Sequence, residues 1–275
     1  MAADEPFLQA PIDLGTTEFG DLYDELPLWS APFGLLLLDR VPIVAGQTIV
    51  DVGAGTGFLA LELAQRCGRS STVYAVDPWA SALARLRRKI AQIGLSNVHV
   101  LEQDAASLDL PAGSVDLVVS NLGLNNFENA DAVLRTCFRL LKPGGRIFLS
   151  SNLIGHMAEL YAAFRDVIPE DRADELEDHI EHRATVEKMQ AQLRAAGFLQ
   201  GSMDISSFRM RFADGQALLR HWFVRFGFLP EWARVAGPDA EEVLRKLAIE
   251  LDDEAAQKGE LALTIPMACV EGVKP

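Results

Sequence analysis

Only three cysteines occur in the 275 residues, Cys67, Cys137 and Cys269, and they stand far apart without CxxC spacing. That pattern suggests neither a disulfide framework nor a zinc knuckle, and it suits a reducing, cytoplasmic setting. Long hydrophobic runs are equally scarce. The stretch from Phe33 to Leu38 meets Asp39 and Arg40 at once, so nothing approaches the roughly 20 apolar residues that a membrane span requires. The opening MAADEPF is acidic, unlike a secretory signal. Positive charge is the third shortage: 25 Lys and Arg against 39 Asp and Glu leave a formal net charge of -14 and a pI near 4.8. Such a surface repels phosphate backbones and anionic lipid, so neither a nucleic-acid nor a membrane partner is expected.

Hydrophobic residues make up 49% of the chain, enough for a sizeable core. At 275 residues the chain exceeds the usual single-domain size, and one core with an appendage is expected. From residue 48, short β-branched runs alternate with longer amphipathic stretches, the pattern of βαβ units in a parallel sheet. Strands are predicted at TIVDV (48–52), TVYAV (72–76), NVHVLE (97–102), VDLVVSN (115–121) and GRIFLSS (145–151). Between them, residues 57–66 place Leu59, Leu63 and Ala64 on one face, and residues 80–93 do the same with Leu83, Leu86, Ile90 and Ile93. PAGS (111–114) precedes a strand, and KPGG (142–145) is a turn that stops a helix and starts the next strand, at the sheet edge away from ligands. Past Asn152 come helices around 156–167 and 185–196 with the acidic stretch DRADELEDHIEH between them, a strand at about 202–212, an aromatic-rich helical insertion and a last strand, LALTIPMACVEG. Two late strands of this kind suit an antiparallel edge on a parallel sheet, and no second independent core is predicted.

The segment IVDVGAGTGFLALELA (49–64) is the most informative. A strand runs into Gly53, Gly55 and Gly57 and then straight into a helix, so the chain can turn tightly and a ligand can approach the backbone with no Cβ in the way. A dinucleotide fingerprint would read GxGxxG; here the spacing is GxGxG, with Phe58 where the third glycine should be. Asp51, at the mouth of the loop, would oppose a pyrophosphate and welcome a cation. Asp77 and Asp104 close the next two strands, and with Asn121 and Asn152 they face one crevice at the strands' carboxyl ends. Each aspartate alone could be a helix cap or strand terminator; three in this order point to a site.

These residues resemble motif I of the class I S-adenosylmethionine-dependent methyltransferases, and the downstream sequence agrees. The resemblance implies that Asp51, Gly53, Ala54, Gly55 and Gly57 line the cofactor and that Asp77, followed by Pro78, holds its ribose hydroxyls. It implies further that Asp104 and Ala105 lie beside the adenine amino group, and that Asn121 and Leu122 run along the cofactor. LPAGSVDLVVS and LLKPGGRIFLS are similar to the fourth and fifth strand motifs of the small-molecule branch called type 11. The fold so implied is a Rossmann-like, doubly wound, seven-stranded α/β sheet, mostly parallel with an antiparallel edge strand, plus a helical insertion or lid. Residues 1–45 would form an N-terminal helical segment covering the site, 46–155 the S-adenosylmethionine-binding core, and 156–275 the completion of the sheet, with the insertion at about 208–258.

Other groups are candidates for an acceptor site. In YDELPLWSAPFG (23–34), Tyr23 and Trp29 either line the pocket or pack an N-terminal helix. In the loop SNLGLNNF (120–127), Asn125, Asn126 and Phe127 are expected to face the acceptor and to position it, since amides do not act as bases at neutral pH. His156, past the fifth strand, and His221, in the insertion, are the candidate bases; their alternative is packing. His179 and His182 sit among carboxylates without HExxH spacing and read as a solvated acidic helix, so no metal is expected. His99 falls inside a strand and reads as structural. The run RLRRK (85–89) reads as a solvated helix face, and Trp222, Phe223, Phe226, Phe228 and Trp232 as either a pocket roof or a small core.

The function so predicted is methyl transfer from S-adenosyl-L-methionine to a small molecule by in-line displacement, leaving S-adenosyl-L-homocysteine. An acyl-carrier-bound acid is a subordinate acceptor. Two rivals stay open: an NAD-dependent oxidoreductase, which shares the fold and the ribose-binding acid, and a non-catalytic cofactor-binding module.

Overall fold

Runs rich in β-branched residues make TIVDV, TVYAV and VDLVVSN extended, and the apolar stripes between them make helices that return the chain to the starting edge of the sheet. The computed structural model describes residues 5–9, 12–25 and 28–275. Met1–Asp4 of the acidic opening, and Leu26 and Pro27 of the segment around Trp29, lie outside the described residues. Helices α1 (Thr17–Glu25) and α2 (Ser30–Leu38) lead into β1 (Thr48–Val52), α3 (Phe58–Arg66), β2 (Thr72–Val76), α4 (Ala80–Ile93), β3 (Val98–Leu101), β4 (Val115–Asn121), α5 (Ala130–Leu140) and β5 (Leu141–Asn152). Then come α6 (Ala158–Val167), α7 (Ala173–Glu181), α8 (Val186–Ala195), β6 (Leu199–Phe212), α9 (Gly215–Arg220), α10 (Trp222–Gly227), α11 (Leu229–Ala236), α12 (Ala240–Lys258) and β7 (Leu261–Val273).

The seven strands form one sheet in the order β3-β2-β1-β4-β5-β7-β6. β1 pairs in parallel with both β2 and β4, and β7 runs antiparallel to β5, so the expected Rossmann-like topology with an antiparallel strand is present. The order reverses between β1 and β4, and the carboxyl ends of those two strands open the crevice where such folds take ligands.

The chain divides into two compact units, where the sequence predicts one core with an appendage. Among the described residues, the sheet unit comprises 13–25, 28–152, 184–206 and 267–275. Its core includes Ile49, Leu63, Val73, Leu83, Leu86, Leu117 and Phe148, each at most 1% exposed. Burying such a side chain contributes about 1.5–3 kcal/mol. Ile93, expected on the same buried face of α4, is instead 49% exposed, at the last residue of the helix. KPGG also differs from expectation: it is a bulge within β5, between the pairings Val115–Leu141 and Leu117–Arg146, and Gly144 there has φ +76°.

Among the described residues, the helical unit comprises 5–9, 12, 153–183 and 207–266. Tyr161, Phe164, Leu176, Trp232, Leu247 and Leu251 fill it. Phe223, Phe228 and Trp232 are buried, with Phe228 stacked on Trp232 at 5.6 Å, so these three aromatics of the insertion belong to this core. His179 lies on the buried side of α7, not on a solvated face: its Nε2 is 3.1 Å from the Tyr161 hydroxyl, which also accepts from Trp232 Nε1.

Candidate cofactor site

The glycine loop after β1 is held from below. The Gly53 and Ala54 amides both donate to the Val76 carbonyl, at 2.9 and 3.0 Å, which ties the loop to the end of β2. Its three glycines answer three needs. Gly53, at φ +75°, passes under the Phe127 ring, with room for a Cβ only 3.6 Å from it. Gly57, at φ +91°, lies so close to Leu86 that a Cβ would stand 2.2 Å from its Cδ1. Gly55, at φ +52°, has nothing within 4 Å of where a Cβ would be, and its backbone faces open space. Packing demands Gly57; access demands Gly55.

Asp77 anchors the loop from the side. Its Oδ2 accepts the Gly55 amide and its Oδ1 the Trp79 amide, each at 2.8 Å, while burial raises its pKa from the ordinary carboxylate value. Asp51 is 1% exposed, with Oδ2 accepting the Ala60 amide at 3.0 Å. Burial, and secondarily the charge of Asp77, push its pKa up to about 7. Asp104 is exposed and caps the short turn Ala105–Ser107 by accepting the Ala106 amide at 2.8 Å; Ala105 is buried and Pro78 exposed. Asp77 and Asp104 thus both accept backbone amides, and these bonds leave lone pairs for a ligand.

The loop after β4 is strained and stapled. Leu122 adopts φ +62°, rare for a residue with a branched side chain, and its amide donates to the Ser150 carbonyl at 3.0 Å. The Asn121 side chain is committed to the protein: Nδ2 donates to the Ser30 carbonyl at 3.0 Å and Oδ1 accepts the Ser150 hydroxyl at 2.6 Å. It moors the start of α2 to the sheet, a role that no local sequence signal announces. Asn125 Nδ2 reaches Ser151 Oγ and Asn152 Oδ1, both at 2.7 Å, and Asn126 Nδ2 reaches the Leu122 carbonyl at 2.9 Å. Phe127 lies against Gly53 and Gly123. The loop is therefore a brace around the glycine turn.

Tyr23 on α1 packs edge-on against Trp79 at 5.2 Å, and both burial and the nearby Asp77 carboxylate raise its pKa above 10. Trp29 packs on Phe33 at 5.3 Å. Trp79 escaped the sequence reading, although its place two residues after Asp77 was a usable signal. The two histidines belong to the helical unit. His156 is 2% exposed, packs against Tyr161 and Phe228, and has its pKa pushed down to about 3, chiefly by burial. His221 joins α9 to α10 and packs edge-on against Phe212 at 5.5 Å; burial lowers its pKa too.

The chain is similar to known proteins over this region. A family profile described as "Methyltransferase domain" matches residues 49–145. The ubiquinone/menaquinone biosynthesis C-methyltransferase UbiE of Escherichia coli O1:K1 is 31% identical over 131 residues, which are 46% of this chain and 52% of that protein. The chain thus spans about half the length of the curated relatives it matches. Among solved structures, YcgJ of Bacillus subtilis superposes with a TM-score of 0.61 at 18% identity, over 89% of this chain and 98% of that one. A SAM-dependent methyltransferase of Aquifex aeolicus gives 0.53 at 22% identity, over 70% and 92%. At such identities these structures speak for the fold alone. Over residues 49–145, from β1 into β5, the chain is similar to a methyltransferase domain.

Proposed function

We propose that the protein transfers the methyl group of S-adenosyl-L-methionine to a small-molecule acceptor and releases S-adenosyl-L-homocysteine. The carrying observation is the pairing of an open Gly55 with a fixed Asp77 carboxylate beside a buried Asp51. The residues fit the cofactor. Gly53, Ala54, Gly55 and Gly57 would form its cradle, Asp77 with Pro78 would take the ribose hydroxyls, Asp104 and Ala105 the adenine edge, and Asn121 and Leu122 its flank through their backbone. When bound, the sulfonium supplies an activated methyl group for in-line displacement. The protein's own work is then orientation and the exclusion of water. The buried Asp51 carboxyl stands to gain from a cationic ligand, which favours its ionised form.

Tyr23, Trp29, Asn125, Asn126 and Phe127 would bound the acceptor. We assign His156 to packing: an imidazole with a pKa near 3 is neutral at physiological pH but a weak base. A turnover inflection between about pH 5 and 8 that vanishes in His156→Gln would reverse that assignment, and His221 is open to the same test. In this proposal residues 1–45 cover the site, 46–155 bind the cofactor, and 156–275 complete the sheet with the insertion at about 208–258. The likeness to UbiE, a C-methyltransferase of ubiquinone/menaquinone biosynthesis, supports a small molecule as acceptor. The net charge of -14 speaks against nucleic acid, and no helix among the described residues is long and apolar enough to cross a membrane, in keeping with a cytoplasmic enzyme.

Thermal-shift titration tests the reading. S-adenosylhomocysteine is expected to raise the melting temperature and NADH to leave it unchanged; the reverse result would favour the oxidoreductase. Asp77→Ala should weaken S-adenosylhomocysteine binding by about 1.5–3 kcal/mol, the loss of hydrogen bonds to a charged group. Unaltered calorimetric affinity would remove Asp77 from the site. Tight binding without turnover over a broad acceptor panel would point to the non-catalytic module.

A further inference from the structure

The basic run of α4 meets carboxylates of α1 instead of solvent: Arg85 Nε donates to Asp24 Oδ2 at 2.8 Å, Lys89 Nζ to Asp24 Oδ1 at 2.5 Å, and Arg88 pairs with Asp21. Two arginines of the helical unit are matched differently. Arg220 ends α9 and Arg225 lies in the last turn of α10, and both line a recess of about 250 Å³ together with the segment Glu5–Gln9. That segment is firmly seated. Phe7 is 2% exposed, with its ring centre 4.7 Å from the Arg220 guanidinium. The Phe7 and Leu8 amides donate to Glu241 Oε2 of α12 at 3.1 and 3.0 Å, and Arg220 Nη2 donates to the Glu5 carbonyl at 2.9 Å.

The recess is short of negative charge. Arg225 Nη2 donates to Gln9 Oε1, a neutral amide, and among the described residues this is its one side-chain partner, which leaves most of the guanidinium donors open. Arg220 does have a carboxylate nearby, but Glu5 Oε2 stands 3.9 Å from its Nη1 and the Glu5 side chain is 66% exposed. Surface pairs of this kind contribute little. Gln9 Nε2 donates to the other oxygen of the same carboxylate at 3.2 Å. Arg225, Gln9, Glu5 and Arg220 thus form one chain of contacts along the recess, with a loosely held carboxylate between the two arginines.

We propose that this recess of the helical unit is a binding site for a small ligand bearing a carboxylate or phosphate group, which takes the place of the Glu5 side chain between Arg220 and Arg225. A guanidinium fork matches the paired oxygens of either group. The net charge of -14 disfavours anions over the surface at large, so a site for one has to be built locally, and two arginines in a recess are such a site. Displacing Glu5 costs little, because its pair is long and exposed. A bound anion would bridge α9 and α10 to the N-terminal segment. The site is independent of the cofactor reading above.

Titration of the full chain with inorganic phosphate, and separately with succinate, tests the site at constant ionic strength. The readout is NMR of the guanidinium Nε–H signals of Arg220 and Arg225 and of the Phe7 and Leu8 amides. At least one of the two anions should give saturable shifts at all four, and the tighter one identifies the group. Glu5→Gln removes the resident carboxylate and should tighten binding several-fold. Arg225→Gln should weaken it about ten-fold, the scale of one charge-assisted hydrogen bond. Arg225→Lys keeps the charge and loses the fork; it should fall between wild type and Arg225→Gln, and it serves alone if Arg225→Gln folds poorly. Shifts that fail to saturate with either anion, wild-type affinity in both Arg225 variants, or an affinity in Glu5→Gln no higher than in the wild type would each overturn the proposal.

Discussion

Asp51 shows how one side chain can read as a ligand from the sequence and as a titrating group in the fold. Unfolded, its carboxyl has an ordinary pKa of about 4; folded, it is pushed up to about 7. Between those values the folded chain holds a proton that the unfolded chain releases. Its contribution to stability is therefore complete below about pH 4 and is lost as the pH rises through about 7, at no more than about 1.4 kcal/mol per pH unit. Denaturant unfolding at intervals across this range should show that slope in the wild type and a shallower one in Asp51→Asn. Parallel slopes would place the Asp51 pKa near its ordinary value. Asn121 is the complementary case: its side chain bonds Ser30 and Ser150 and so holds α2 to the sheet.

At the scale of elements, the turn from β1 into α3 depends on Gly57 through both backbone and packing. Alanine there must adopt φ +91° and place a Cβ 2.2 Å from Leu86 Cδ1. We expect Gly57→Ala to lower stability by about 1–3 kcal/mol, as overpacking does, and a midpoint within experimental error of the wild type would mean that α3 and α4 adjust freely. The strands and their ends were legible because β-branched runs and glycine spacing are local signals; β1, β2 and β4 begin and end where the sequence predicts. KPGG was read as a turn because Pro-Gly-Gly favours turns locally, yet pairing with the chain's end draws it into a strand: the Gly144 amide donates to the Lys274 carbonyl at 2.8 Å and Gly145 accepts from the Lys274 amide at 2.9 Å.

Across the whole molecule, charge acts in two directions. A net charge of -14 repels itself, and salt screens that repulsion over a Debye length of about 10 Å at 0.1 M. Raising the ionic strength should therefore raise the melting temperature. The same salt weakens the pairs of Asp21 and Asp24 with α4, so the amides of α1 should exchange faster while the molecule as a whole unfolds later. Hydrogen exchange followed with a melting curve at low and moderate salt separates the two; a fall in both would show that ion pairs outweigh self-repulsion.

The sequence by itself determined the order of strands and helices, the glycine turn and the acids that end β1, β2 and β3, because each is written within a few residues of chain. Only the tertiary structure decided that RLRRK would meet an aspartate 61 residues away, that His179 would turn inward, and that Asp51 would hold a proton near neutrality. Pairing and desolvation depend on which surfaces come together, and that information lies in the packed chain.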